Sequence, residues 1–330
     1  MELIVALADG REAWVDDHDF DIQVGGDNEI TDTFEVRYDY QLDAKIPKTD
    51  YRIYIPWTEY GGPVGKIQTS SSTGTVMACG WTWRGLLRHK IIQPDEGAAY
   101  YTVSGTVSSV ISDLIDRLEI GTYFTVQSDL PDDWTVTSYR FNRYTDADTG
   151  LRAMMASIGL KMTIVYDPDL RQAVIGATSI DNYAAEVEIS SDGELSLDTE
   201  QVVNGVNHLV CLGKGELADR TVLHIFTDRQ GRVVSEQRLT GIEEIMAVYE
   251  NSAAENEEAL RKDGLARLRE ICNRTTIGAE VGRTRKDLLL DDVISGRDYV
   301  TGLSVSAPIG TVIVTRDAGE INVQYALEEE

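Results

Sequence analysis

The stretch Phe34-Glu35-Val36-Arg37-Tyr38-Asp39-Tyr40 sets an apolar or aromatic residue against a charged one at every step. Successive side chains of a β-strand point to opposite faces, so a period of two predicts a strand with one buried and one wet face. Downstream, Tyr51, Ile53 and Ile55 repeat the alternation after Pro47, and Gly61-Gly62-Pro63 reads as a turn before strands around Gly65–Gln68 and Thr75–Gly80. Upstream, the apolar run Glu2–Ala8 closes at Asp9-Gly10, a hairpin-type dipeptide because Gly accepts the positive φ of primed turns. Gly80–Leu87 closes this first β-rich region.

After Ile91-Ile92-Gln93-Pro94 the period changes. Val107, Val110, Ile111, Leu114, Ile115 and Leu118 fall at helical spacing, a stripe on a helix that Ser104 can cap. A second helix is predicted over Thr145–Ile158, with Thr145 and Asp148 at capping-box spacing and Gly159 as the left-handed stop. Strands Lys161–Tyr166 and Gln172–Ala177 flank a turn at Asp167-Pro168-Asp169. Strands resume at Val206–Leu212, Thr221–Thr227 and Arg232–Arg238. A third helix starts at Ser252, with Glu255 completing a capping box, and carries Leu260, Leu265, Leu268 and Ile271. Gly264 inside it hints at close backbone packing. The tail reads as a meander: Asp291–Val293, Tyr299–Val305, Thr311–Val314, then Ile321–Leu327 after the turn Asp317-Ala318-Gly319. Short connections favour antiparallel sheets or barrels over a parallel doubly wound sheet. The chain therefore reads as α+β, mainly β, in three parts: 1–95 β-rich, 96–178 α/β with two helices, and 179–330 β-rich with a helical insertion near 252–272.

The 330 residues carry 30 Lys plus Arg against 56 Asp plus Glu, a net charge of −26. That balance excludes a surface built to neutralise phosphates, and 42% hydrophobic residues exclude a disordered chain. Cys79, Cys211 and Cys272 form no CxxC pair, so they read as small hydrophobes and not as a disulfide or zinc framework. The apolar run before Asp9 is too short for a signal-peptide core or a membrane span, which predicts a protein made in the cytoplasm with no membrane segment.

Motifs for chemistry are scarce. HExxH, a Walker A loop, a Rossmann glycine fingerprint and GxSxG are all absent from the sequence. Gly213-Lys214-Gly215 lies between strands and reads as a hairpin. In Asp16-Asp17-His18-Asp19-Phe20-Asp21 a cation site is conceivable, but on a strand Asp17, Asp19 and Asp21 share one face while His18 and Phe20 take the other. The segment reads as a solvated acidic strand or loop. Asp146-Ala147-Asp148-Thr149-Gly150 lacks the third acid and closing Glu of a calcium loop and reads as a helix start. His18, His89, His208 and His224 are dispersed and read as structural. Tyr54, Trp57, Tyr60, Trp81 and Trp83 offer a sugar-stacking face or, as aromatics usually do, core and interface. No catalytic, cofactor-binding or metal-ligating residue is assigned.

Three stretches carry a resemblance. They are Tyr51-Arg52-Ile53-Tyr54-Ile55-Pro56-Trp57-Thr58-Glu59-Tyr60-Gly61-Gly62-Pro63-Val64 with Gly80-Trp81-Thr82-Trp83-Arg84-Gly85-Leu86-Leu87; Tyr139-Arg140-Phe141 through the helix to Gly159-Leu160-Lys161; and Asn204-Gly205-Val206-Asn207-His208-Leu209-Val210-Cys211-Leu212-Gly213. Together they resemble the tail-hub (baseplate hub) proteins of siphophages and prophages. The resemblance implies two β-barrel tube-type domains with an inserted α/β domain, assembled as a homotrimer that closes the distal end of the tail tube and links it to the tip. It implies a structural virion protein, without cofactors, in the virion tail after synthesis in the host cytoplasm. Its implied partners are distal tail or tube proteins, the tape-measure protein and tail-tip proteins. The genome passes its lumen without specific binding, and the acidic charge would offer DNA no counterion release there. Many relatives carry a C-terminal peptidase or fibre extension; the end at Leu327-Glu328-Glu329-Glu330 implies none here. The competing readings are a phage-tail-associated peptidase or peptidoglycan hydrolase, and a carbohydrate-binding module using Trp57 or Trp81.

Overall fold

The computed structural model describes residues 2–7, 11–14, 18–26, 31–39, 51–183, 195–281, 288–297 and 304–327. The chain forms two units, the larger from 1–196 with 279–328 and the smaller from 197–278.

The larger unit begins with strands β1 (Ile4–Ala6), β2 (Glu12–Trp14), β3 (His18–Gly25), β4 (Thr33–Asp39), β5 (Arg52–Tyr54), β6 (Gly61–Pro63), β7 (Lys66–Ser70) and β8 (Thr75–Trp81), then helix α1 (Trp83–Arg88). Strands β2-β1-β5-β6 form an antiparallel sheet, with Ala6 opposite Glu12 and Ile4 opposite Tyr54. The opening alternation behaves as the period of two requires. Phe34, Val36 and Tyr38 are buried on β4 while Arg37 is exposed, and Phe20, Ile22 and Val24 on β3 join the same core. Asp9, Gly10, Tyr40 and Pro47 lie outside the described residues. Helix α1 is absent from the sequence reading, which took Gly80–Leu87 for the end of the β-region. Its start is set by Thr82, whose hydroxyl accepts from Gly85 N at 3.2 Å.

Next come β9 (Thr102–Thr106), α2 (Val107–Arg117), β10 (Phe124–Val126), β11 (Thr135–Arg140), α3 (Ala147–Ala156), β12 (Leu160–Asp167) and β13 (Gln172–Ser179). Their apolar faces share one core with Tyr54, Trp83 and Leu87, and the α2 stripe Val107, Val110, Ile111, Leu114 and Ile115 is fully inside it. The caps differ from expectation by one or two residues. Thr106, not Ser104, caps α2, while Ser104 accepts from Ser138 N on the neighbouring strand. Asp146, not Thr145, caps α3, its carboxylate accepting from Thr149 N at 2.8 Å. Gly159 takes φ +77°, the left-handed stop. Strands β12 and β13 form the expected hairpin, its turn tightened by Asp167 Oδ1 accepting from Asp169 N and Leu170 N. β10 runs parallel to β13, because the long connection through β11, α3 and β12 permits a crossover.

The chain enters the smaller unit through β14 (Leu195–Val202) and continues as β15 (His208–Leu212), β16 (Val222–Thr227), β17 (Val233–Val234), β18 (Met246–Glu250) and α4 (Glu257–Ile271), leaving through β19 (Arg274–Val281). The order β17-β16-β15-β18 is one sheet, with β15 and β18 parallel. The expected strand 232–238 shrinks to Val233–Val234, and β18 was not foreseen. Asn256, not Ser252, caps α4 by accepting from Ala259 N. Leu260 and Leu268 pack on Leu209, Cys211 and Ile225. The hint at Gly264 is explained: a Cβ there would lie 2.5 Å from Cys211 Sγ.

Back in the larger unit, β20 (Val293–Arg297), β21 (Ser304–Asp317) and β22 (Glu320–Leu327) complete the sheet in the order β22-β21-β3-β4-β8-β7, with β20 also on β21. The strand expected over 311–314 is part of a longer one, β21, while 299–303 of the strand expected over 299–305 lie outside the described residues. Ala318 and Gly319 both take positive φ, the primed two-residue turn of a β21–β22 hairpin. The fold is α+β and mainly β. The strand orders are open, and no pair that would close a barrel occurs among the described residues.

Candidate functional site

Three buried acids and two arginines of the larger unit meet at one junction, where the first two stretches that carried the family resemblance join Asp32 and Arg88. The turn after β5 is pinned by Ile55 N donating to Tyr60 O at 2.9 Å and Thr58 Oγ1 to Ile55 O at 2.8 Å, and Trp57 takes φ +60°. This aims Glu59 inward. Arg84 on α1 is 2% exposed; its Nε donates to Glu59 Oε2 at 2.5 Å, Nη1 to Asp148 Oδ1 at 3.3 Å and Nη2 to Met162 O at 3.2 Å. One turn on, Arg88 Nε stands 2.6 Å from Asp32 Oδ2 and 3.7 Å from Asp148 Oδ2, ion-pair distances at angles that make no hydrogen bond.

Asp32 is fully buried, at φ +60°, with Oδ1 accepting from Gly25 N at 2.7 Å and its carbonyl accepting from Thr82 N at 2.8 Å. Gly85 permits that approach, since a Cβ on it would meet Asp32 O at 2.3 Å. Three acids thus face two arginines. Burial first, and then Asp148, push the Asp32 carboxyl up to about 6 against the pull of Arg88. Burial lowers Arg84, but Glu59 and Asp148 outweigh it and hold the guanidinium above its ordinary range. Two further pairs tie the returning chain to the α/β layer. Arg152 clasps Asp291 at 2.6 and 3.2 Å, and buried Lys161 pairs with buried Asp292, whose other oxygen accepts from Leu289 N at 2.9 Å.

This junction fastens four separate segments, at Asp32, Glu59, α1 and α3. Buried ion pairs of this kind add little net stability, but removing one partner leaves an uncompensated charge. Glu59, Arg84 and Asp148 thus fix which segments meet. Next to them lies an apolar cleft of about 400 Å³ lined by Trp57, Tyr60, Ile164, Leu289 and Tyr325.

The residues singled out by sequence scatter. Of Asp16–Asp21, the first two lie outside the described residues. His18 and Phe20 are buried and Asp19 and Asp21 exposed, the split that strand alternation predicts. Asp19 and Asp21 line a shallow polar groove of about 470 Å³ with Glu35, Arg37 and Asp317. Burial, then Glu35, raise the Asp21 carboxyl. Among the described residues, no three His, Cys, Asp or Glu side chains stand together to hold a metal. Asp146 and Asp148 open α3. Gly213-Lys214-Gly215 belongs to the β15–β16 hairpin, where Gly213 N donates to Thr221 O. Cys211 and Cys272 are buried as expected, while Cys79 is half-buried.

The aromatics form no common face. In the core Trp83 stacks on Tyr166 at 4.8 Å between centroids and Tyr54 packs tilted against it at 4.2 Å, whereas Trp57 and Trp81 reach solvent. His89 meets the edge of Trp81, and His18 contacts Arg316. Sequence spacing missed one juxtaposition: His208 Nε2 lies 2.7 Å from His224 Nδ1, and His208 Nδ1 lies 2.6 Å from Glu244 Oε1. Adjacent strands β15 and β16 bring the histidines together, which a gap of 16 residues does not announce.

No family profile matches this sequence, and no curated protein matches it. Solved structures do. The 43 kDa tail protein of a Shewanella oneidensis prophage is 14% identical, with a TM-score of 0.50 covering 100% of this chain and 98% of that one. A prophage tail protein of Listeria monocytogenes is 12% identical, with a TM-score of 0.50 covering 100% of this chain and 95% of that one. At these identities the likeness speaks for the fold alone. The resemblance carried by the Tyr51–Val64, Tyr139–Lys161 and Asn204–Gly213 stretches holds at that level, and over its whole length the chain has the fold of prophage tail proteins.

Proposed function

We propose that this chain is a structural protein of a phage or prophage tail: a trimeric hub that closes the distal end of the tail tube and joins it to the tip. The observation that carries the reading is the fold likeness to two prophage tail proteins over the whole of this chain and nearly all of theirs. The chemistry of the buried junction supports it, because Arg84, Glu59 and Asp148 bind one another and serve cohesion, not turnover. The reading includes two tube-type barrels, 1–95 and 179–330, flanking the α/β part 96–178, whose helices α2 and α3 share a core with β12 and β13.

The partners are further copies of the chain, distal tube proteins, the tape-measure protein and tip proteins, and the protein sits in the virion tail. It makes and breaks no bond. With a net charge of −26, a lumen lined by its carboxylates gives passing DNA no place to stick. Among the described residues no helix is long and apolar enough to cross a membrane. Negative-stain microscopy of the protein mixed with tail tubes tests the reading. Rings capping one tube end are expected; tubes left uncapped, or turnover of cell-wall peptidoglycan abolished by a single carboxylate substitution, would reject it.

A further inference from the structure

The returning chain of the larger unit meets the α/β layer at two adjacent acids that are answered differently. Asp291 faces Arg152, whereas Asp292 faces Lys161, the one buried lysine among the described residues. A guanidinium stays charged and can only pair, but an amine that gives up a proton is a nucleophile. Lys161 and Asp292 are each 1% exposed, and Lys161 Nζ donates directly to Asp292 Oδ1.

Both partners are fixed in place. Lys161 sits in the β12–β13 ladder opposite Thr178. Asp292 N donates to Leu289 O at 3.2 Å, and Asp292 O accepts from Ile309 N at 2.8 Å. The Asp292 carboxyl is itself polarised by two backbone donors: Oδ1 accepts from Asp181 N at 3.1 Å and Oδ2 from Leu289 N at 2.9 Å. The donor on Oδ2 stands where negative charge gathers on that oxygen when the carboxyl carbon is attacked. A third carboxylate completes the group. Asp181 Oδ2 lies 3.4 Å from Lys161 Nζ, and its side chain is 56% exposed, so it links the buried pair to water. An amine held against a polarised carboxyl has the proximity that condensation in free solution lacks.

We propose that Lys161 and Asp292 condense to an amide, a covalent cross-link inside the folded chain. One proton of the ammonium passes to Asp292 Oδ1, and the freed amine attacks Cγ while Leu289 N–H holds the charge on Oδ2. Asp181 takes a second proton from Nζ and hands it to Oδ1. The Nζ–Cγ bond forms, the Cγ–Oδ1 bond breaks and one water leaves past Asp181. Oδ2 becomes the amide oxygen, and Nζ keeps one hydrogen. The neutral amide replaces two charges that burial penalises. This chemistry is confined to the chain's own maturation: it happens once and turns over no substrate. The bond joins points 131 residues apart and closes a loop that contains 197–278.

Intact-mass measurement on the full chain tests the proposal, with circular dichroism to show that the protein is folded before it is denatured for the spectrometer. Wild type is expected one water lighter than its sequence. Its tryptic digest is expected to hold a branched peptide in which Lys161 is uncut and joined to the segment carrying Asp292. Lys161→Met and Asp292→Ala are expected at full sequence mass. Asp181→Ala keeps its backbone N–H at an exposed position and is expected to condense about a hundredfold more slowly, followed by mass against time after refolding. A folded wild type at full sequence mass overturns the proposal, as does a lost water that maps to another site, such as ring closure at an Asp-Gly step. Condensation of Asp181→Ala at the wild-type rate overturns the proton route through that carboxylate. Every one of these results leaves the hub reading standing.

Discussion

Replacing Asp32 with Asn probes the buried junction through its pH dependence. Asn accepts the positive φ of this site and keeps an oxygen for Gly25 N, so the backbone need not change. What it removes is the titrating carboxyl. Its folded value of about 6 lies above the ordinary 3.8, so the folded state holds this proton more tightly than the unfolded chain does. The resulting stabilisation is fully present below 3.8 and is lost as pH rises through about 6. The whole span of about 2 units corresponds to about 3 kcal/mol. The isoelectric point near 4.4 makes pH 5 a practical lower limit. Between pH 5 and 7.5, linkage gives a loss of about 1 kcal/mol in wild type that the Asn variant does not share.

Trp14, Trp57, Trp81, Trp83 and Trp134 all lie in the larger unit, so urea unfolding followed by tryptophan fluorescence reports the unit that holds Asp32. Wild-type stability minus that of Asp32→Asn should fall by about that amount across the range. A difference that stays flat, or rises with pH, would refute the account of the junction's charge.

Arg84→Met leaves Glu59 and Asp148 buried without their guanidinium and should cost about 3–5 kcal/mol in the same urea experiment; a loss below about 1 kcal/mol would mean the pairs do not hold the segments together. Gly85→Ala drives a methyl against Asp32 O and should cost about 1–3 kcal/mol, measured by the fall in urea midpoint, with an unchanged midpoint as the contrary result. Gly264→Ala sets helix propensity, worth about 1 kcal/mol in favour of Ala, against a contact of 2.5 Å with Cys211 Sγ. The contact should win, shown by faster amide exchange in α4; slower exchange would place α4 further from β15 than described.

Much of the fold was legible because its elements obey simple periods. Phe34, Val36 and Tyr38 on β4, and the α2 stripe from Val107 to Ile115, could be read because each has one buried face. Short elements whose form depends on tertiary partners could not. Helix α1 spans six residues, and its place is set by Asp32 and Glu59, both distant in sequence. Strand β18 exposes Met246 and Val248 and half-buries Ala247 and Tyr249, so alternation of apolar with polar residues gives no signal there. At the junction, Arg84 and Glu59 stand within quoted resemblance stretches, but no local pattern says that a single arginine is buried. Asp32 follows no period at all. In the described part of the acidic segment, strand geometry alone separates His18 from Asp19 and Asp21.

The central claim is a closed ring of three chains at the end of a tail tube, and the molar mass of the purified protein tests it most directly. Light scattering across a hundredfold concentration range is expected to settle at three times 36.6 kDa, with threefold rings in micrographs of the same fractions. A single 36.6 kDa species at every concentration, unchanged when tail tubes are added, would contradict it.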